Sequence, residues 1–316
     1  MLDIATLRQR QSLPLEAKVM MSLHKIREWY DRWRGQVYVA YSGGKDSTVL
    51  LHLVRQFYPE VPAVFNNTGL EYPEILEQVR GTESVVWLRP KYSFKECCTR
   101  WGFPAVSKEV SDKVQRIRNT KDEQLRQLWM YGRNDQGRTT ILRLSDKWHF
   151  LLQAPFKISP NCCIHLKKNP AKHYEGETGL WPMLGTLAEE SLGRTTEYLR
   201  FGCNNYTNSR PKSTPLGFWT EQDILQYITR EGLKIAAVYG DIVETDGRLR
   251  CIGEDRTGCI ACPFGCHAGV QNSFQRMAIT KPKLLNWILD DLSMRQVLDF
   301  TGIPYTAQDV GSEATY

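Results

Sequence analysis

No stretch of the 316 residues approaches the roughly 18 consecutive apolar residues that a membrane-spanning helix requires. A helical membrane protein is therefore excluded, and no membrane partner is expected. The chain begins Met1-Leu2-Asp3, with charge where a secretory leader carries its apolar run, so the expected location is the cytoplasm. There is no internal repeat and no low-complexity tract, which argues against a solenoid or a largely disordered chain. A disulfide framework is not expected either, because a reducing compartment does not maintain one. Large net charge is also absent: the balance is +6.

What is present is enough apolar material for a real core, 41% of all residues. Residues Leu15–Trp33 have helical spacing, with Val19, Met20, Leu23, Ile26 and Trp29 on one face. A short β-rich run follows at Val37–Tyr41, then two glycines, then an apolar helical stretch from Ser47 to Phe57 that Tyr58-Pro59 stops. Val61–Phe65 and Val85–Leu88 read as further strands, with a helix opening at Pro73 between them. Strand and helix alternate, which predicts an α/β fold: a parallel sheet with helices on both faces. Ser107–Tyr131 reads as helical. Thr220 and Asp223 have capping-box spacing, and Asp246-Gly247 marks a turn or hairpin within Asp241–Arg250. We divide the chain into a helical lead-in (1–36), a nucleotide-binding domain (37–215) and a C-terminal helical region with cysteines (216–316).

The segment Ser42-Gly43-Gly44-Lys45-Asp46-Ser47 lies between a predicted strand and a predicted helix. Glycines let backbone amides turn toward an anion, and the helix N-terminus adds its positive end. Ser42 and Ser47 add hydroxyl donors and Lys45 a full charge. The expected ligand is the pyrophosphate portion of a nucleotide. This is not a Walker A loop, which needs Gly-x-x-x-x-Gly-Lys.

The nine cysteines cluster as Cys97-Cys98, Cys162-Cys163 and Cys259, Cys262, Cys266, with Cys203 and Cys251 apart. An odd number in clusters suits ligands better than bridges. Cys162, Cys163, Cys259 and Cys262 can surround a tetrahedral zinc or an iron–sulfur cubane, and spacing alone does not choose between them. Buried free thiols are the plain alternative. Cys266 could replace a member of the tandem pair. His165 and His267 read as packed or surface histidines. Cys97-Cys98 could be redox active, but Phe94 and Trp101 at helical spacing from them favour a buried helix face.

Charge is uneven. Gln124–Lys172 holds nine basic residues against Asp135 and Asp146, and interleaves them with Trp129, Tyr131, Trp148, Phe150 and Phe156. That pattern suits phosphate backbones and stacked bases, so DNA or RNA is a candidate partner.

These motifs resemble a known family. Ser-Gly-Gly-Lys-Asp-Ser after a strand is similar to the loop of the adenine nucleotide alpha-hydrolases, or pyrophosphate-loop ATPases. Asn67-Thr68-Gly69, Glu190-Ser191-Leu192-Gly193-Arg194 and Pro215–Asp223 resemble elements of the phosphoadenosine phosphosulfate reductase-like branch, with Asn67 where an acid is usual. The resemblance implies a Rossmann-type fold and ATP as cofactor. It places Ser42, Gly43, Gly44, Lys45, Asp46, Ser47, Asn67, Thr68, Gly69 and Glu190 around the nucleotide, and gives Lys45, Asp46 and Arg194 catalytic roles. Cys162-Cys163 followed by Lys167 and Pro170, with a distant Cys259-x-x-Cys262, resembles the [4Fe–4S] ligand set of adenylylsulfate reductases; zinc is the second candidate.

Loop and cluster together resemble the ATP pyrophosphatase of DNA phosphorothioation and the cluster-dependent tRNA thiolases. The implied activity is ATP-dependent adenylation in support of sulfur transfer, with a sulfur-donor protein as partner. An adenylylsulfate or phosphoadenylylsulfate reductase is the alternative. Such reductases, however, carry a nucleophilic cysteine in a Glu-Cys-Gly-x-His tail, and no cysteine follows Cys266. The small subunit of ATP sulfurylase shares the loop but not the cluster. A non-catalytic ATP-binding scaffold in a sulfur-modification complex is the remaining reading.

Overall fold

Short β-branched and aromatic runs form the sheet. In the computed structural model, which describes residues 2–207, 210–268 and 271–307, the strands are β1 (Val37–Ala40), β2 (Ala63–Asn66), β3 (Val85–Leu88), β4 (Trp181–Leu184), β5 (Asn204–Asn205) and β6 (Lys212–Ser213), in the order β3-β2-β1-β4-β6-β5. Val39 pairs with Ala63 on one side and Met183 on the other, both in parallel register. The exception to the expected parallel sheet is β5, which pairs antiparallel with β6 at the edge. Only a short turn's worth of chain joins β5 to β6, too little for a parallel crossover.

The central strand is inaccessible: Val37, Tyr38 and Val39 are each at most 2% exposed. A near-continuous apolar run of this kind is what a strand covered on both faces needs. Helices flank the sheet. The Leu15–Arg32 helix buries Ile26 and Trp29, each such burial contributing roughly 1.5–3 kcal/mol. The helix after β1 spans Lys45–Arg55, starting two residues before the expected Ser47, because Gly44 is its N-cap. Thr220 and Asp223 form the expected capping box on the Glu221–Glu231 helix. The buried Lys18 ammonium also reaches both Asp223 carboxylate oxygens at 2.7 Å. Asp241–Arg250 is a hairpin, with β7 (Ile242–Thr245) antiparallel to β8 (Arg248–Cys251).

The chain forms two interleaved compact units. The first holds the sheet and comprises the described residues up to Asn67, Glu71–Arg89 and Pro170–Thr257. The second comprises Thr68–Leu70, Pro90–Asn169 and the described residues from Gly258 onward. It is helical. Phe94–Trp101 buries Cys97 and Cys98 on one face as expected. The charged stretch is two helices, Lys108–Asn119 and Glu123–Tyr131, because Asp122 accepts from the Gln124 and Leu125 amides and starts a new N-terminus. Among the described residues, no helix is long and apolar enough to cross a membrane.

Candidate functional site

The strand order reverses at β1, whose neighbours β2 and β4 lead to opposite sides of the sheet. In open α/β sheets the crevice at the carboxyl ends of such strands is where ligands bind. The loop Ser42–Ser47 leaves β1 at this point. A Cβ on Gly185, just past β4, would lie 2.8 Å from the Asp46 carbonyl oxygen, so the two loops are in contact. Gly43 has φ +72°, and a Cβ there would lie 2.8 Å from Val79 Cγ2. Its glycine is demanded by both conformation and space.

The loop is internally tied. Ser47 Oγ accepts from the Ser42 amide at 3.1 Å and lies 3.0 Å from Ser42 Oγ. Ser42 Oγ accepts from the Gly44 amide at 3.3 Å. Lys45 is 4% exposed, and its ammonium donates to the Asp255 carbonyl at 2.6 Å and to Glu221 Oε1 at 2.8 Å. Burial works to lower the Lys45 pKa, but the Glu221 contact and the charges of Asp46 and Glu221 outweigh it, so the net shift is upward. Asp46 is shifted upward, first by its own burial and against the pull of Lys45.

The segment following β8 covers the loop from the other direction. Gly253 and Glu254 amides donate to the Tyr239 and Val238 carbonyls at 2.8 and 2.9 Å. This sets the Tyr239 hydroxyl 3.3 Å from the Lys45 amide, which donates to it, and 2.6 Å from Thr257 Oγ1. Nearby, Glu190 pairs with Arg194, and its Oε1 accepts from Arg256 Nη2 at 3.3 Å. Burial and the adjacent Arg256 lower the Arg194 pKa, with Asp46 opposing them. Arg194 also borders a cavity of about 20 Å³ together with Thr186, Glu197, Asn205 and Lys212. Three cations, Lys45, Arg194 and Arg256, are thus each held by a carboxylate. This is a site in which an incoming polyphosphate can exchange for side-chain acids.

The first unit therefore holds Ser42–Ser47, Asn67, Glu190 and Arg194. Asn67 extends β2, its amide donating to the Leu88 carbonyl at 2.9 Å. Thr68 and Gly69 fall in the second unit, where the Leu70 carbonyl accepts from the Ile260 amide at 2.8 Å. Glu221, Tyr239, Asp255, Arg256 and Thr257 were not singled out from sequence. The signal that could have found the last three is the polar, glycine-punctuated run Gly253-Glu-Asp-Arg-Thr-Gly258 before the cysteines.

All four predicted cysteine ligands lie in the second unit. The Cys162 thiol donates to Cys163, which together with burial drives the Cys162 pKa upward. That hydrogen bond, against the burial of Cys163 and helped by Lys167, Lys108 and Lys168, draws the Cys163 pKa down. Cys262 is pushed up by burial and next by Cys259, and its charge also acts on Cys162. Cys98 acts on Cys162 as well. Among the described residues, no three His, Cys, Asp or Glu side chains are disposed around a single metal ion. The donor chemistry nonetheless fits a thiolate-ligated group: four thiols in one neighbourhood, with lysines beside the tandem pair. His165 stacks on Trp101 at 3.5 Å as a packed histidine does, and the exposed His267 meets Trp148 edge-on at 5.2 Å.

In the basic stretch, Arg126 and Arg143 pair with Glu123 and Asp146 at the surface, and Lys147 lies 5.0 Å over the Trp148 ring. Phe156 is a core residue, 8% exposed, while Tyr131 and Phe150 face solvent.

Residues 36–263 match the model of the phosphoadenosine phosphosulfate reductase domain. Among curated proteins, an uncharacterized protein of Methanocaldococcus jannaschii is 25% identical over 257 residues, covering 79% of this chain and 41% of that protein, so the chain spans less than half its length. Sulfate adenylyltransferase subunit 2 of Maricaulis maris is 25% identical over 272 residues, covering 78% of this chain and 74% of that one. Among solved structures, a phosphate complex of phosphoadenylyl-sulfate reductase from Candida auris aligns with a TM-score of 0.41 at 14% identity, covering 78% of this chain and 98% of that chain.

Proposed function

The chain belongs to the phosphoadenosine phosphosulfate reductase domain family, and from that premise we propose that it is an ATP pyrophosphatase of sulfur metabolism that adenylates an acceptor, with nucleic acid as the acceptor. The family supports the broader statement, an enzyme of sulfur metabolism that binds a nucleotide. The observation that carries the finer one is the complete loop at the β1/β4 crevice, with Lys45 already gathering a carboxylate and a carbonyl oxygen.

In this reading the phosphates of ATP take the place of Glu221 on Lys45. The amides of Gly43 and Gly44 and the hydroxyls of Ser42 and Ser47 hold the β- and γ-phosphates. Asp46 keeps Lys45 charged. Asn67 at the end of β2 serves the nucleoside. Arg194 and Arg256 exchange Glu190 for phosphate oxygens. An acceptor oxygen attacks the α-phosphorus; the new P–O bond forms as the α–β bridge breaks, and its electron pair leaves on pyrophosphate. Charge building on that leaving group is what the preorganised cations stabilise. Cys162, Cys163, Cys259 and Cys262 would hold a [4Fe–4S] cluster, which supplies fixed charge if four thiolates bind and an open iron position if three do. A sulfur-donor protein completes the proposed system, and the basic stretch within Gln124–Lys172 holds the acceptor.

Pyrophosphate release from ATP, followed by a coupled assay with duplex DNA or tRNA, tests the proposal. Release that depends on an added acceptor supports it. ATP binding without any release would favour the scaffold reading instead.

A further inference from the structure

The second unit displays two aliphatic side chains to solvent on a fixed backbone. Ile141 is 96% exposed and Leu142 61%. The segment carrying them is pinned on both sides. The Glu123–Tyr131 helix ends on Gly132 with φ +82°. The chain then turns about Asn134, 8% exposed, whose Oδ1 accepts from the Gln136 and Arg138 amides at 3.2 and 3.1 Å. Arg133 and Thr139 form an antiparallel bridge, and the Thr140 amide donates to the Gly132 carbonyl at 2.8 Å. Beyond the pair, Leu144 is fully buried and its amide donates to the Trp129 carbonyl at 2.7 Å. The Leu142 amide itself donates to Thr140 Oγ1 at 3.0 Å.

A fold that only needed a surface turn here would place polar side chains on it. Leaving Ile141 and Leu142 in water forgoes the burial that stabilises such residues elsewhere. The surroundings restrict what can cover them. Arg133, Arg138, Arg143 and Lys147 flank the pair in sequence, against Asp135 and Asp146. Arg143 is paired with Asp146, and the remaining cations leave the segment net positive, a charge that a second copy would meet with its own. A polyanion matches it. Adjacent aliphatic residues between cations are the arrangement by which proteins part stacked bases: the cations hold the phosphates while the apolar wedge enters the step.

We propose that Ile141 and Leu142 form a wedge that inserts between stacked bases of a duplex nucleic acid held by the flanking arginines. The proposal rests on nucleic acid being the acceptor, and it sharpens that reading to a duplex opened at one step. Pyrimidine–purine steps, which unstack most easily, are the preferred sites.

The test uses the full chain and a short duplex carrying 2-aminopurine at a TA step, whose fluorescence rises on unstacking. Wild type should bind with a steep salt dependence and raise the fluorescence. An Ile141→Ala, Leu142→Ala double variant should keep the salt slope and bind within about tenfold of wild type, yet leave the fluorescence low. Both positions are exposed, so the variant should fold, and an unchanged far-UV spectrum checks this. Fluorescence that stays low with wild type bound, or that rises equally with the variant, overturns the wedge and leaves the patch as a protein-docking surface. No binding at about 50 mM salt removes the nucleic-acid acceptor and the wedge together.

Discussion

Glu221→Gln tests whether the carboxylate on Lys45 stands where a phosphate will stand. Its Oε1 lies 2.8 Å from the Lys45 ammonium, whose side chain is 6% exposed, while the Glu221 side chain is 52% exposed. A hydrogen bond between charged partners contributes about 1.5–3 kcal/mol when shielded, and solvent around the half-exposed carboxylate reduces this to about 1 kcal/mol. A nucleotide that must displace Glu221 loses that amount, so the amide variant should bind ATP about fivefold more tightly. The gain should shrink as ionic strength rises, since screening weakens the competing pair first. The Glu221 amide, which donates to Glu189 Oε1 at 2.6 Å, is unaffected by the change. The variant should in turn lose about 1 kcal/mol of stability with the ion pair, and a few tenths more because an acid in the first turn favours the helix. Calorimetric titration with ATP at two salt concentrations reads the affinity and thermal denaturation reads the stability. Unchanged or weaker ATP binding would refute the reasoning, since Glu221 would then be aiming Lys45 at the phosphate and not occupying its place.

Asp46 is shifted upward by burial, so its ionised form costs stability in the ligand-free fold. The sign follows: its stabilising contribution is present below the unfolded carboxylate pKa and is lost as pH rises through the higher folded value. Asp46→Asn should therefore raise the melting temperature at pH 7 and lose that advantage as pH falls toward 4; a variant less stable at pH 7 would contradict this. Anaerobic purification should yield a brown protein with iron and sulfide in equal amounts, and Cys262→Ser should lose the colour, whereas a colourless protein holding one zinc would remove the cluster. Single Cys162→Ser and Cys163→Ser variants then count ligands: loss in both means four thiolates, survival in one means three. Duplex or tRNA binding should weaken steeply with salt, the slope reporting the phosphates neutralised; a flat dependence would remove nucleic acid from the account.

Much of the fold was legible because it is written in local pattern. Val37–Ala40, Val85–Leu88, the Pro73 helix start and the Thr220/Asp223 box are all features of a few adjacent residues. Two-residue strands such as Asn204–Asn205 carry no periodicity to read, so the antiparallel edge was missed. The loop Ser42–Ser47 was legible because glycines, a lysine and two serines between strand and helix have few other uses. What closes over it was not. Glu221, Tyr239 and Asp255 reach Lys45 from 176 or more positions away, as their separations from residue 45 show, and long-range pairing leaves no mark in a local pattern. The interleaving of the two units at Thr68–Leu70 is of the same kind. The cysteines show the intermediate case. Their clustering was evident, but the influence of Cys98 on Cys162 joins a residue read as helix packing to the thiol neighbourhood.

The central claim, that the Ser42–Ser47 loop holds the pyrophosphate portion of ATP, is tested most directly by calorimetric titration of ATP and of inorganic pyrophosphate into wild type and a Lys45→Ala, Ser47→Ala double variant. The account predicts that wild type binds both ligands and that the variant loses at least the 1.5–3 kcal/mol of one charge-assisted contact, about 10- to 150-fold in affinity for each. A folded double variant that binds ATP and pyrophosphate as wild type does would contradict it.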